Sequence, residues 1–109
     1  MFKGISDLTH LVKEAGKLKE KMEAVQDELA GRVVEASSGG GMVTASVNGR
    51  QEIVSIRIEK EIVDSGDAAM LQDLVAAACN AALSRSRDMM RDELLKVTGG
   101  LNIPLPGLT

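Results

Sequence analysis

Between Leu8 and Leu29 the apolar residues fall at Leu8, Leu11, Ala15, Leu18, Met22, Val25 and Leu29, in alternating steps of three and four without a break. Steps of that kind draw one narrow stripe along a helix, the seam of a heptad pattern. The remaining faces carry charge, so the stripe calls for another helix more than for a sheet. Ser6 or Asp7 can cap the start by accepting from orphan N–H groups, and Gly31 is placed to end it. Only Gly16 lowers the helical propensity. The spacing predicts a helix over about residues 6–30, roughly 40 Å long.

A second constraint is the stretch GGGMVTASVNGRQEIVSIRI, residues 39–58. Asn48-Gly49 between two alternating runs is a strong hairpin signal, because both residue types tolerate positive φ. Whether the loop takes two residues or four, Val43, Ala45 and Val47 share a face with Val54, Ile56 and Ile58. Met42, Thr44, Ser46, Ile53, Ser55 and Arg57 fall on the other face, the pattern of an antiparallel sheet covered on one side. RVVEAS just before it reads as a further short strand, and SSGGG as a flexible connection. Expected strands therefore run over about 32–37, 42–48 and 51–58.

The acidic connection EKEIVDSGD leads to a second long helix over about 67–97, capped by Ser65 or Asp67. Its first half, MLQDLVAAACNAAL, is rich in alanine, and small side chains let a helix lie close to its neighbour. Its second half, SRSRDMMRDELLK, is charged, with Asp88 and Arg91, and Asp92 and Lys96, at helical neighbour spacing. Gly99 and Gly100 stop it, and a tail over 99–109 with Pro104 and Pro106 is expected to be extended.

The fold class is therefore α+β, in the order α-β-β-β-α. Strands of five to seven residues reach only about 20 Å, so both helices must project past the sheet. The first helix enters the sheet at its C-terminal end and the second leaves from its N-terminal end. The free tip thus combines the start of the first with the end of the second. Charge sorts by that geometry. Residues 1–21 carry five lysines against three carboxylates, and residues 85–109 carry four basic groups against three. Residues 22–84 carry four basic groups against ten acidic ones, which makes the whole chain −3. A basic tip on an acidic body is the electrostatic footprint of a polyanion binder. His10, Lys13 and Lys17 lie on the outer stripe of the first helix, away from its seam, free to reach phosphates.

Other signals argue against chemistry. Gly39–Gly41 has no Lys-Ser/Thr after it and matches neither nucleotide-binding fingerprint, so it reads as a connection. His10 is the single histidine and Cys79 the single cysteine, which leaves no catalytic pairing, no metal-ligand cluster and no intramolecular disulfide. Cys79 within VAAACNAAL reads as a small buried hydrophobe. No enzyme, cofactor, metal or small-molecule substrate is expected. No apolar run is long enough to span a bilayer and the N-terminus lacks a signal-peptide core, so a cytoplasmic location is expected and no membrane partner. The chain has no Trp or Tyr and one Phe, and a core of Ala, Val, Leu, Ile and Met in 109 residues is thin. Oligomerisation is the common remedy.

Four stretches, in this order and spacing, resemble the YbaB/EbfC family of bacterial nucleoid-associated proteins. They are LVKEAGKLKEKMEAVQDELAG, MVTASVNGRQEIVSIRIEKEIV, MLQDLVAAACNAAL and TGGLNIPLPG, and together they cover nearly the whole chain. The resemblance implies one domain over 1–109, with a three-stranded antiparallel sheet and a tight homodimer layered β/α/β, its helices between two sheets. It implies a nucleoid-associated protein that binds double-stranded DNA, with a role in chromosome organisation or gene regulation. Contacts in the family lie at the projecting ends of the long helices. That implies Lys13, Lys17, Arg85, Arg87 and Arg91 here, with His10, Lys21 and Lys96 at the margins. No element is shaped to read base edges, so backbone contact of low sequence specificity is expected. The rival reading is a protein-interaction adaptor, whose projecting helices would expose Phe2, Ile5, Met89, Met90 and the apolar residues of Leu101–Leu108.

Overall fold

The computed structural model describes residues 2–97, with side chains from Asp7 onward. The expected tail, and the side chains of Phe2 and Ile5, lie outside the described residues. Helix α1 spans Phe2–Ala30, strands β1, β2 and β3 span Val33–Ser38, Val43–Asn48 and Ile53–Ile58, a short helix α2 spans Lys60–Asp64, and α3 spans Ala68–Val97. The sheet is antiparallel in the order β1-β2-β3. The fold is thus the α-β-β-β-α arrangement that the periodicities predict, with α2 added.

Helix α1 begins ahead of Ser6 and Asp7, so neither is its cap. No proline stands between Phe2 and Ser6 to stop the helix, and Gly4 weakens it without ending it. At α3 the choice between Ser65 and Asp67 is resolved. Asp67 Oδ1 accepts from the Met70 N–H at 3.0 Å, while Ser65 Oγ accepts from the Asp67 N–H at 3.3 Å. Helix α2 occupies what reads as an acidic loop, because one helical turn there lets Ile62 drop to 3% exposure at the end of the core.

The core lies between α3 and the first two strands. Ala36, Val43, Ala45 and Val47 from the sheet meet Ala78 and Ala82 of α3, with Leu71, Leu74, Val75, Cys79 and Leu83 around them. Alanines at zero exposure let the helix axis settle onto the sheet. Two hydroxyls pin that contact at either end. Ser38 Oγ donates to the Leu74 carbonyl at 2.6 Å, and Ser86 Oγ donates to the Asn48 carbonyl at 2.6 Å.

Two details correct the sequence reading of the hairpin. Neither Asn48 nor Gly49 takes positive φ; the left-handed residue is Gln51, at φ 64°. Asn48 acts through its side chain instead, accepting from the N–H groups of Arg50 and Glu52 at 2.9 and 3.1 Å. Gly49 is needed because the end of α1 presses on it: its N–H donates to the Leu29 carbonyl at 2.9 Å. Register also slips between Ser46 and Val47, so Val47 faces Ile53 and Val54 is the extra residue of a bulge. SSGGG is no flexible linker either. Gly39, Gly40 and Gly41 form a 3₁₀ turn at φ of 61°, 68° and 96°, which side chains rarely adopt.

The expectation that β3 buries one face fails within a single chain. Val54 and Ile56 are 56% and 41% exposed, and only Ile58 is half-buried. Helix α3 packs on β1 and β2 and only marginally on β3, and among the described residues no other element packs broadly against β3. The molecule measures 75 × 22 × 18 Å, with a radius of gyration of 20.3 Å where a compact domain of this size has roughly 13 Å. That elongation is the helical overhang.

Candidate nucleic-acid interface

The overhang can be measured along the helices. Ser86 of α3 stands over Asn48, at the hairpin end of the sheet. From there α3 continues to Val97, roughly 16 Å further at 1.5 Å per residue. Helix α1 reaches the same end of the sheet at Leu29 and runs outward for the rest of its length. The two helices pack on each other where they overlap. Among the described residues the tip's outermost part is therefore α1 alone.

Lys13, Lys17 and Lys21 follow one another at one-turn steps on α1, and all three are exposed, as is His10. Among the described residues, no ion pair engages His10, Lys13 or Lys21. Lys17 Nζ lies 3.7 Å from Glu14 Oε1, with both side chains more than half exposed. Such a pair is worth little and yields readily to a stronger anion. Lys19, counted in the tip charge but not selected from the sequence, is exposed on the same overhang. Its position beside the seam, rather than on the outer stripe, hid it.

The α3 residues differ. Arg85 lies over the sheet, not beyond it, and its Nη1 donates to the Glu35 carbonyl at 2.6 Å. Arg91 Nη2 is 2.6 Å from Asp88 Oδ1. Lys96 pairs with Glu93 at 3.1 Å and not with Asp92, and Arg32 reaches the same Glu93 carboxylate, likewise at 3.1 Å. Those two contacts, Lys96 first, hold the Glu93 carboxyl below its ordinary pKa. Arg87 is half-buried. The structure thus gathers His10, Lys13, Lys17 and Lys21 on one projecting helix, and sets Arg85, Arg91 and Lys96 against a carbonyl and carboxylates. Met89 and Met90, candidates for an apolar docking tip, are half-buried. Among the described residues no group of His, Cys, Asp and Glu is arranged to hold a metal, and no helix is long and apolar enough to cross a membrane.

A basic, overhanging helix pair on a three-stranded sheet has close counterparts. The model of the YbaB/EbfC DNA-binding family matches residues 3–101. The chain belongs to that family. A nucleoid-associated protein of Syntrophobacter fumaroxidans is 51% identical over 94 residues, covering 84% of this chain and 86% of the relative. One of Myxococcus xanthus is 50% identical over 98 residues, covering 90% and 93%. The crystal structure of the uncharacterized protein HP0035 from Helicobacter pylori superposes with a TM-score of 0.75 over 84% of this chain and 96% of that one. At 21% identity that likeness speaks for the fold alone. Membership in the YbaB/EbfC family places the chain among DNA-binding proteins and not among enzymes.

Proposed function

We propose that this YbaB/EbfC protein is a homodimeric, nucleoid-associated DNA-binding protein that grips the phosphate backbone of duplex DNA through the tip of α1, with little sequence preference. The observation that carries the reading is the stripe Lys13, Lys17 and Lys21, exposed on a helix that outreaches the rest of the molecule. A chain of net charge −3 presents that stripe without self-repulsion because its carboxylates are concentrated toward the sheet. Dimerisation is supported by the uncovered apolar strip Ile53, Val54 and Ile56 on β3, at 41–56% exposure. An antiparallel edge of that kind needs a cover. His10 and Lys19 extend the contact surface, while Arg85, Arg87, Arg91 and Lys96 act at its inner margin. Relatives named for the nucleoid agree with a chromosomal location.

Two stripes of three lysines in a dimer would neutralise about six phosphates. Counterion release then lowers affinity about a thousandfold between 50 and 200 mM salt. A gel shift across ionic strengths, on random and A·T-rich duplexes, reads that slope. Charge reversal at Lys13, Lys17 and Lys21 should abolish the shift and leave the dimer intact by sedimentation. A triple variant that binds as the unchanged protein does would remove α1 from the interface. The adaptor reading draws on Leu8, Leu11 and Val12, which are 63–68% exposed on the same overhang. Capture through those residues would survive moderate salt, which separates the two readings.

A further inference from the structure

The heptad seam of α1 is covered for only part of its length. Leu29 is 1% exposed, and Val25, Met22 and Leu18 are half-buried. Beyond Leu18 the cover stops: Leu11 and Leu8 are 63% and 65% exposed, with Val12 beside them at 68%. The place where it stops matches the end of α3. Val97 stands roughly 16 Å past the sheet, and the same distance counted back along α1 from Leu29 ends near Leu18.

The chain itself continues from that point. Residues 98–109, TGGLNIPLPGLT, carry no charge, and Leu101, Ile103 and Leu105 alternate with other residues before Leu108. An extended segment with such alternation presents its apolar side chains along one edge. Pro104 and Pro106 have no N–H to satisfy, which suits a segment lying on a helix with no strand beside it. Because α3 runs outward, the chain need not reverse to follow α1 toward its N-terminus. From Leu101 to Leu108 an extended, proline-containing segment covers roughly 22 Å, against roughly 15 Å of helix from Leu18 to Leu8.

We propose that residues 101–108 dock on the uncovered seam of α1 in the same chain, seating on Leu8, Leu11, Val12 and Ala15 where α3 ends. An uncharged occupant on the seam leaves the outer stripe of Lys13 and Lys17 open and removes an apolar patch from the tip. The inference does not rest on DNA binding and stands or falls separately from it.

Full-length protein with Cys79→Ser, Leu11→Cys and Ile103→Cys, oxidised with glutathione disulfide, tests the contact. The expected product is an intrachain disulfide joining positions 11 and 103, found by peptide mapping. A control pairing Ile103→Cys with Val63→Cys, at the other end of the molecule, should give at least tenfold less. Disulfides formed mainly between chains, or no excess over the control, would overturn the proposal. Interchain bonds would show instead that a second copy covers the seam. Hydrogen exchange gives an independent reading on the full chain. Leu101→Ser, Ile103→Ser and Leu105→Ser together should speed exchange of the amides of residues 8–15 at least tenfold, with the amides of β1 and β2 unchanged as a check on folding. Equal rates at residues 8–15 in the two proteins would count against the docking.

Discussion

Replacing Gly49 by alanine strikes first at its contact with Leu29, which makes its consequence calculable. A Cβ at Gly49 would overlap the Leu29 carbonyl oxygen and stand 2.5 Å from Leu29 Cβ and 2.7 Å from its carbonyl carbon. Reaching ordinary contact at 3.4 Å requires the end of α1 or the hairpin to move by about 1.1 Å. Leu29 is main chain and buried side chain at that point, so no flexible end can swing aside. Such a shift breaks the hydrogen bond from the Gly49 N–H to the Leu29 carbonyl, about 0.5–1.5 kcal/mol. It also opens the packing of Leu29, a side chain whose complete truncation would cost about 2–5 kcal/mol. Losing the bond and about half of the packing gives about 2–4 kcal/mol. A domain of this size loses roughly 4–8 °C in Tm per kcal/mol, so a fall of at least about 8 °C is expected. Gly16→Ala is the internal control. Nothing lies within 4 Å of a Cβ there, and alanine in an exposed helix interior gains about 0.5–1 kcal/mol over glycine. Urea denaturation of both variants at one fixed protomer concentration measures the pair, since self-association makes stability depend on concentration. A Gly49→Ala protein within about 0.5 kcal/mol of the unchanged chain would refute the close approach of α1 to the hairpin.

Other perturbations follow from single contacts. Ser86→Ala removes the buried hydroxyl that ties α3 to the Asn48 carbonyl and should cost about 1 kcal/mol in urea denaturation. Ile56→Asp puts a charge into the uncovered strip of β3, and sedimentation should find it a monomer under conditions where the unchanged protein forms the proposed dimer. Glu93 has a lowered pKa in the folded chain, so its pairs with Lys96 and Arg32 stabilise at neutral pH and are lost as pH falls through that lowered value. Glu93→Gln should therefore be less stable at neutral pH and should lose less Tm on acidification below about pH 5. Equal acid sensitivity in the two proteins would show that the pairs do not form.

Much of the architecture is legible from periods. The 3-4 spacing of Leu8 to Leu29 is a statement about one helix and its need for a helical partner, and α3 meets that need as far as Leu18. Alternation around Asn48-Gly49 is likewise a local fact, and the hairpin forms there. The reason it forms is not local. Gly49 is required by a residue 20 positions earlier in the chain, which no reading of the turn alone can supply. Helix α2 was hidden because five residues hold little more than one helical period, too few for a repeat to show, and it is the structure that reveals the burial of Ile62.

For the candidate interface, residue type and helical face pointed to His10, Lys13, Lys17 and Lys21, and all four are exposed on α1. On α3 the same signals did not show which partners the cations take. Arg85 looks as available as Lys13 in the sequence, yet its guanidinium donates to a strand carbonyl; Lys96 takes Glu93 in place of Asp92, and Arg32 arrives at the same carboxylate from another element. The amino-acid sequence by itself determined the two long helices, the three strands, their order and the separation of charge between tip and body. Only the tertiary structure decided which side chains are left unspent, because a partner is chosen by proximity in space, and helix period carries no information about which strand lies beneath.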